Sequence, residues 1–230
     1  MTENKYSHPR IALIHATPLA MEPIAHAFAK HWPQAQCMHL LDDTLSKDRA
    51  KDGVLTNDMV DRFKELSTYS KQTGAQGILF TCSAFGPAID AAHAHVRIPT
   101  HKPNQAMFED ALSKALKGKN LRVGLMATFE ASIGALSEEF LELAKTNNIH
   151  VQMESVFVKE AMQDLANGQA QLHHQKIAAC VSQLSHCDVI MLAQFSMAAA
   201  QPLAQEQTTV PVLSSPDCAA IALREKMRHE

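Results

Sequence analysis

The chain has 230 residues, enough to bury one large core or two smaller ones, and its 46% apolar and 20% charged residues are ordinary for a globular protein. The formal net charge is -3 with both signs scattered, so no basic face is present for a nucleic acid or a membrane surface. Met1 to Arg10 is polar and lacks the apolar stretch of a secretory signal, and no run approaches the roughly 18 apolar residues that span a bilayer. A cytoplasmic location is the expectation, with Cys37, Cys82, Cys180, Cys187 and Cys218 as free thiols, because their odd number and spacing match no disulfide framework.

Ile11 to His15 is a short apolar run that reads as a buried strand and ends at Ala16, Thr17 and Pro18. Ala20 to His31 carries Ile24, Ala27 and Phe28 on one helical face and stops at Trp32 and Pro33. Gln36 to Leu41 reads as a second strand, followed by Asp42 and Asp43, which either cap a helix or line a binding cleft. Thr56 is an N-cap candidate for a helix to about Gln72, with Met59, Val60, Phe63 and Leu66 at helical spacing. Gly74 and Gly77 break it, Ile78 to Thr81 forms another strand, and Cys82 stands at that strand's end. Pro87 suits the first turn of the next helix. Arg97 to Thr100 is a short extended piece, and Lys102 to Asn104 opens a further helix. Strands alternating with helices imply a parallel sheet with helices on both faces.

The same order then begins again. Arg122 to Met126 resembles Arg10 to Ile14, an offset of 112. One ungapped shift carries Phe28 onto Phe140, Lys47 onto Lys159, Asp48 onto Glu160, Ile78 onto Ile190 and Pro99 onto Pro211. It carries the strands at 36–41 and 78–81 onto 148–153 and 190–193, and the helix at 56–72 onto 168–184. The fold expected is α/β: two similar lobes from a tandem duplication, residues 1–110 and 111–230, each a parallel sheet flanked by helices. Segments crossing between lobes, a pseudo-twofold relation and a cleft between the lobes complete the expectation.

Parallel sheets bind ligands beyond the C-terminal ends of their strands. The residues placed there are His15, Thr17 and Pro18; Cys82, Ser83 and Ala84; Thr128 and Phe129; and Gln194, Phe195 and Ser196. Small polar groups and helix-end amides suit a small carboxylate. No glycine-rich phosphate loop is present, so a nucleotide is not expected. Cys82 is the candidate reactive group, because a thiol between a strand and a helix start has backbone amides to stabilise its thiolate. The remaining cysteines read as inert. His15 reads equally as a core residue, a supporting residue or a substrate contact. The pairs His93 with His95 and His173 with His174, and His186 beside Cys187, lack the spacing of a metal site and read as surface histidines.

Four segments together are similar to the aspartate/glutamate/hydantoin racemase superfamily: Ile78 to Gly86, Lys102 to Met107, Gly124 to Phe129 and Leu192 to Ala198. The resemblance runs over nearly the whole chain and is most specific at Thr81, Cys82 and Ser83. It implies two pseudosymmetric α/β lobes, no pyridoxal phosphate or metal, and a cysteine from each lobe facing the substrate α-carbon. One cysteine takes the proton and the other returns it on the opposite face. The chain departs from this pattern at the second thiol, since the offset carries Cys82 onto Gln194, and an amide is neither acid nor base near neutral pH. Single-cysteine relatives of the arylmalonate decarboxylase type carry their lone cysteine in the other lobe.

The resemblance therefore implies a cofactor-independent isomerase or decarboxylase-like enzyme acting at the carbon α to a carboxylate. Cys82 would be its acid/base, and Thr17, Ser83, Thr128 and Ser196 would hold the carboxylate. Gln194 would donate a hydrogen bond where the second thiol otherwise stands. Two alternatives stay open: an amino-acid or hydantoin racemase with a different second acid/base, and a small-carboxylate binding protein without catalysis. The expected partner is a small carboxylate, with a homo-oligomer as a further option.

Overall fold

The computed structural model describes residues 8–116 and 120–229, so most of the polar Met1–Arg10 stretch lies outside the described residues. The first half runs β1 (Arg10–His15), a 3-10 turn (Pro18–Ala20), α1 (Met21–His31), β2 (Gln36–Leu41), α2 (Thr44–Asp52), α3 (Asn57–Gln72) and β3 (Gly77–Phe80). A 3-10 turn (Ser83–Phe85), α4 (Gly86–Val96), β4 (Thr100–His101) and α5 (Gln105–Ser113) follow. The strands form one parallel sheet in the order β2-β1-β3-β4. β1 and β3 are central and are buried at every position but Arg10, which is why both read as unbroken apolar runs. The Thr56 hydroxyl accepts from the Met59 amide at 3.3 Å and starts α3, as its sequence position implies.

Two local expectations change. Helix α2 has no hydrophobic periodicity, since it buries only Leu45, and only the helix-capping reading of Asp42 and Asp43 pointed to it. Asp42 starts it by accepting from the Thr44 amide at 3.2 Å and the Thr44 hydroxyl at 2.7 Å. Gly53 ends it in the left-handed region with φ 69°. The extended piece expected from Arg97 shrinks to Thr100–His101, because Arg97 closes α4 with a left-handed backbone of φ 54°.

The second half runs β5 (Leu121–Ala127), a 3-10 turn (Glu130–Ser132), α6 (Ile133–Thr146), β6 (Val151–Phe157), α7 (Ala161–Ala166) and α8 (Ala170–Cys180). It continues through a 3-10 segment (Val181–Leu184), β7 (Val189–Leu192), a second 3-10 segment (Phe195–Ala200), α9 (Gln201–Gln205), β8 (Val212–Ser214) and α10 (Ser215–His229). Its sheet order, β6-β5-β7-β8, repeats that of the first half, and every pairing is again parallel. The offset of 112 holds through the central registers. Ile11 lies beside Gly77 and Val123 beside Val189; Ile78 lies beside Thr100 and Ile190 beside Val212.

The ungapped form of the repeat is corrected at one place. Arg10 pairs with Gln36, but Arg122 pairs with Gln152, so β2 and β6 differ by 116. Helix α6 has 14 residues where α1 has 11, and the extra turn carries the next strand to 151–157 rather than 148–153. The matches of Lys47 with Lys159 and Asp48 with Glu160 fall in this shifted stretch and are not structural equivalents. Lys47 lies inside α2, whereas Lys159 precedes α7.

The chain divides into unit 1, Met1–Gln105 with Ala219–Glu230, and unit 2, Ala106–Cys218. Unit 1 packs Ala12, Ile14, Ile78 and Phe80 under α3 and α4, with Phe63 stacked on Phe80 at 5.0 Å. The other face of its sheet receives the end of α10. A Cβ on Gly77 would stand 3.0 Å from Met227 Sδ and 3.5 Å from Leu223 Cδ1, so glycine is what lets the helix come this close. Arg224 Nη1 donates to the His31 carbonyl at 2.6 Å and fastens α10 beside α1. In unit 2, Met107, Phe108, Ala111 and Leu112 of α5 pack on Val123, Leu125 and Met191, with Phe108 edge-on to Phe140 at 5.3 Å. The opposite face, with Met126, Ile190 and Leu192, packs under α8 and α9. Each unit is thus completed by the helix that follows the other unit's last strand.

Removing Ala219–Glu230 uncovers Ile11, Gly77 and their neighbours on one face of the first sheet. We expect the truncated chain to lose cooperative unfolding and to bind a hydrophobic dye. A denaturant transition as sharp as that of the full chain would show that α10 is dispensable.

Candidate active site

In unit 1 the ends of the adjacent strands β1 and β3 bring together His15, Thr17, Pro18, Cys82, Ser83 and Ala84. Thr17 precedes the Pro18–Ala20 turn, and its hydroxyl accepts from the Leu19 amide at 3.4 Å. The Ser46 hydroxyl donates to the Ala16 carbonyl at 2.7 Å and ties this loop to α2. Cys82 is half-buried against the α3/α4 side of the core, while Ser83 and Ala84 are exposed. Desolvation pushes the Cys82 thiol up, and a hydrogen bond from the Ala84 backbone N–H pulls it partly back. The net direction is upward, so the expected stabilisation of a thiolate is outweighed and Cys82 rests as a thiol.

His15 is completely buried and joins two partners. Its Nδ1 lies 2.8 Å from Thr81 Oγ1, and its Nε2 lies 2.9 Å from His39 Nδ1. The Thr81 hydroxyl also reaches the Ile14 carbonyl at 3.4 Å, which can only accept. One consistent proton arrangement follows: His39 Nδ1–H donates to His15 Nε2, His15 Nδ1–H donates to Thr81, and Thr81 donates to Ile14. The two rings stack with centroids 5.1 Å apart. Burial, then the neighbouring His39, lowers the His15 pKa to about 4, and burial lowers that of His39. The pair is therefore neutral near pH 7. His15 is a supporting residue in this geometry, with its ring committed to Thr81 and His39. His39 was not singled out in the sequence, although a histidine within the strand Gln36–Leu41 was the available signal; Thr81 entered only as part of the block that resembles the family.

In unit 2 the ends of β5 and β7 bring together Thr128, Phe129, Gln194, Phe195 and Ser196. The Thr128 amide donates to Gln194 Oε1 at 2.9 Å, and its hydroxyl stands 3.3 Å from the same oxygen. Gln194 Nε2 donates to Ser132 Oγ at 2.8 Å, and the Ser132 hydroxyl donates to the Phe129 carbonyl at 2.7 Å. Both ends of the Gln194 amide therefore fasten the two strand-end loops to each other. Thr128 and Phe195 are buried, Ser196 is half-buried, and Phe129 is 56% exposed. Under the offset of 112, His15, Thr81 and Cys82 correspond to Ala127, Ala193 and Gln194, so the histidine–threonine chain has no counterpart here.

Burial pushes Cys37 and Cys218 up to about 12 and also raises Cys180 and Cys187, and all five cysteines are free. Cys82 differs from them by its place at a strand end. His93, His95 and His186 are exposed as expected. His173 is not a surface residue: it is completely buried, edge-on to His174 at 5.3 Å. Among the described residues no group of three or more His, Cys, Asp or Glu could hold a metal ion, and no helix is long and apolar enough to cross a membrane.

A family model described as Asp/Glu/Hydantoin racemase matches residues 14–223. No curated protein sequence matches the chain. Among solved structures, the chain is similar to a putative Asp/Glu racemase from Yersinia pestis, with TM-score 0.71, 14% identity, and coverage of 95% of this chain and 99% of that one. It is similar to an aspartate racemase homologue from Pyrococcus horikoshii OT3, with TM-score 0.72, 14% identity, and 95% and 98% coverage. Unliganded arylmalonate decarboxylase aligns with TM-score 0.63 at 13% identity, covering 95% of this chain and 92% of that one. At these identities the structures establish a shared fold.

Replacing Gln194 by Ala strips the Thr128 amide and Ser132 of their partner. The expected loss is about 1–3 kcal/mol, read from the urea midpoint at constant m-value. Acid should also destabilise the protein. His15, His101 and His173 are buried with pKa values lowered to about 4. The unfolded chain therefore binds protons first. Stability from these groups is complete above about pH 6.5 and is lost as pH falls towards about 4, by a few kcal/mol in all. Urea midpoints that stay constant from pH 7 to pH 5 would contradict this, and His15→Gln should flatten the profile.

Proposed function

The chain belongs to the Asp/Glu/hydantoin racemase family, and from that premise we propose that it makes or breaks the C–H bond at the carbon α to a carboxylate, with the Cys82 thiol as the acid/base. As a family member it is a racemase-type enzyme; the cysteine chemistry and the substrate class are our reading. The observation that carries it is the position of Cys82. It stands just past the end of a central strand, on the turn that enters α4.

The resting protonation state gives the reaction its direction. A thiol whose pKa is raised by burial holds its proton near pH 7 and acts as a general acid towards the α-carbanion left when a second carboxylate on that carbon departs as carbon dioxide, its C–C electron pair staying on the α-carbon. Proton transfer to the carbanion leaves a thiolate, which the Ala84 N–H stabilises and solvent then reprotonates. Thr17 and Ser83 stand at the same strand ends and supply hydroxyl and amide donors for the carboxylate, whose charge grows as the carbanion delocalises onto it. No step calls on a bound cofactor.

Protonation on one face is the form of this reading favoured by Gln194. That residue occupies the position in unit 2 equivalent to Cys82, and both ends of its amide are bonded within its own loops. A racemase reading requires another acid/base for the opposite face.

The test uses a panel of small acids that includes amino acids, hydantoins and arylmalonates, assayed in deuterium oxide. Cys82→Ser should lower the rate on the active compound by about 10²–10⁴-fold with KM changed far less. Activity retained within about tenfold would overturn the role of Cys82. Deuterium entering one enantiomer alone is expected; entry into both, with interconversion, would establish a racemase instead.

A further inference from the structure

We infer that unit 1 carries a second ligand site, at the start of β4, in which His93, Arg97 and Lys226 bind a small phosphate-bearing molecule. The site is a cavity of about 400 Å³ lined by His93, Ala94, Arg97, Ile98, Pro99 and Lys226. Its three polar residues are all bases, and its lining has no carboxylate, in a chain of net charge -3. The bases come from elements far apart in sequence, the last turn of α4 and the C-terminal part of α10.

Among the described residues none of these three side chains forms an ion pair. Other bases of unit 1 are committed: Lys102 to Asp90 at 2.8 Å, Lys71 to the Val96 carbonyl at 2.7 Å, and Arg224 to Glu225 at 2.9 Å. Like charges held around one cavity repel, and they persist at lower cost when an anion fills it. Arg97 has a further peculiarity. It closes α4 with φ 54°, a helix-end conformation that glycine adopts most readily, so the backbone gives no reason for arginine there.

His101 follows two residues after Pro99 of the lining. It is 6% exposed, and neither ring nitrogen has a hydrogen-bond partner among the described residues. Desolvation, then Lys226 and His93, lowers its pKa to about 4, and its ring is not part of the cavity's lining.

The charge of the lining selects the ligand class. A carboxylate brings one negative charge, whereas a phosphomonoester brings nearly two and three oxygens, which suit a guanidinium fork together with an ammonium. Pro99 precedes β4 while Cys82 follows β3, and the strands are parallel, so this cavity lies at the opposite end of the unit 1 sheet from Cys82. Its ligand is therefore a separate molecule from the carboxylate substrate.

Calorimetric titration of the full chain with inorganic phosphate and with glycerol phosphate is expected to show one saturable site. Arg97→Gly combined with Lys226→Gln should weaken it by at least about tenfold. Arg97→Gly suits the left-handed backbone, and the combined variant should melt within a few degrees of the unmodified protein. Lys51→Ala, on exposed α2, should leave binding unchanged. No saturable binding below about 10 mM, equal affinity for acetate, or unchanged binding in the Arg97/Lys226 variant would each overturn the inference.

Discussion

A parallel sheet has to be covered on both faces, and that requirement organises this molecule. Each half of the chain supplies helices for its own sheet, yet the helix after the last strand of each half leaves for the other. Helix α5 packs on Val123, Leu125 and Met191 of the second sheet, while α10 reaches Gly77 and Ile11 of the first. Neither half is a closed core by itself. The exchange explains why residues so far apart as Arg224 and His31 are hydrogen-bonded, and why glycine is needed at Gly77, the first residue of an otherwise apolar strand.

With both sheets fixed in this way, the strand ends are free to differ. The two halves share strand order, parallel sense and central register, but the same positions carry different chemistry. The first half ends its central strands in His15, Thr81 and Cys82, and the second in Ala127, Ala193 and Gln194. In the first, a neutral imidazole pair links the strand ends through Thr81; in the second, one amide side chain does so through Thr128 and Ser132. Each device fills the hydrogen-bonding capacity of loops that would otherwise leave buried polar groups unpaired. Only the first leaves a titratable sulfur at the strand end.

The elements legible in the sequence were those with a strong periodic signal. Gln36–Leu41 and the helix capped by Thr56 appear with the expected bounds, because alternating or 3.6-residue apolar patterns leave little choice. Helix α2 was legible only through the capping alternative for Asp42 and Asp43, because it is built by Asp42 and Arg62 contacts rather than by an apolar face. The repeat was legible as a single offset, but the extra turn of α6 was not, since a four-residue shift in amphipathic sequence preserves its period. At the candidate site, Cys82 was visible from its place after an apolar run. The His15–His39 contact was not, because it depends on the register that sets β1 beside β2. His173 looked exposed beside His174, yet helix α8 turns it fully inward.

The electrostatics around Cys82 bear on which substrates it can serve. All five thiols are shifted upward by burial, so acidity does not single this one out; its surroundings do. Burial is the largest influence on the Cys82 thiol, and no cation is among the groups that shift it. Giving up a proton to a carbanion costs this sulfur less than taking one from a neutral carbon acid, because the latter needs a thiolate beforehand. A substrate bearing its own positive charge near the α-carbon would narrow that difference by Coulombic stabilisation of the thiolate. A substrate without one leaves the thiol as a donor only. The charge carried by the substrate, more than any further residue of the first unit, then decides whether Cys82 works in one direction or in both.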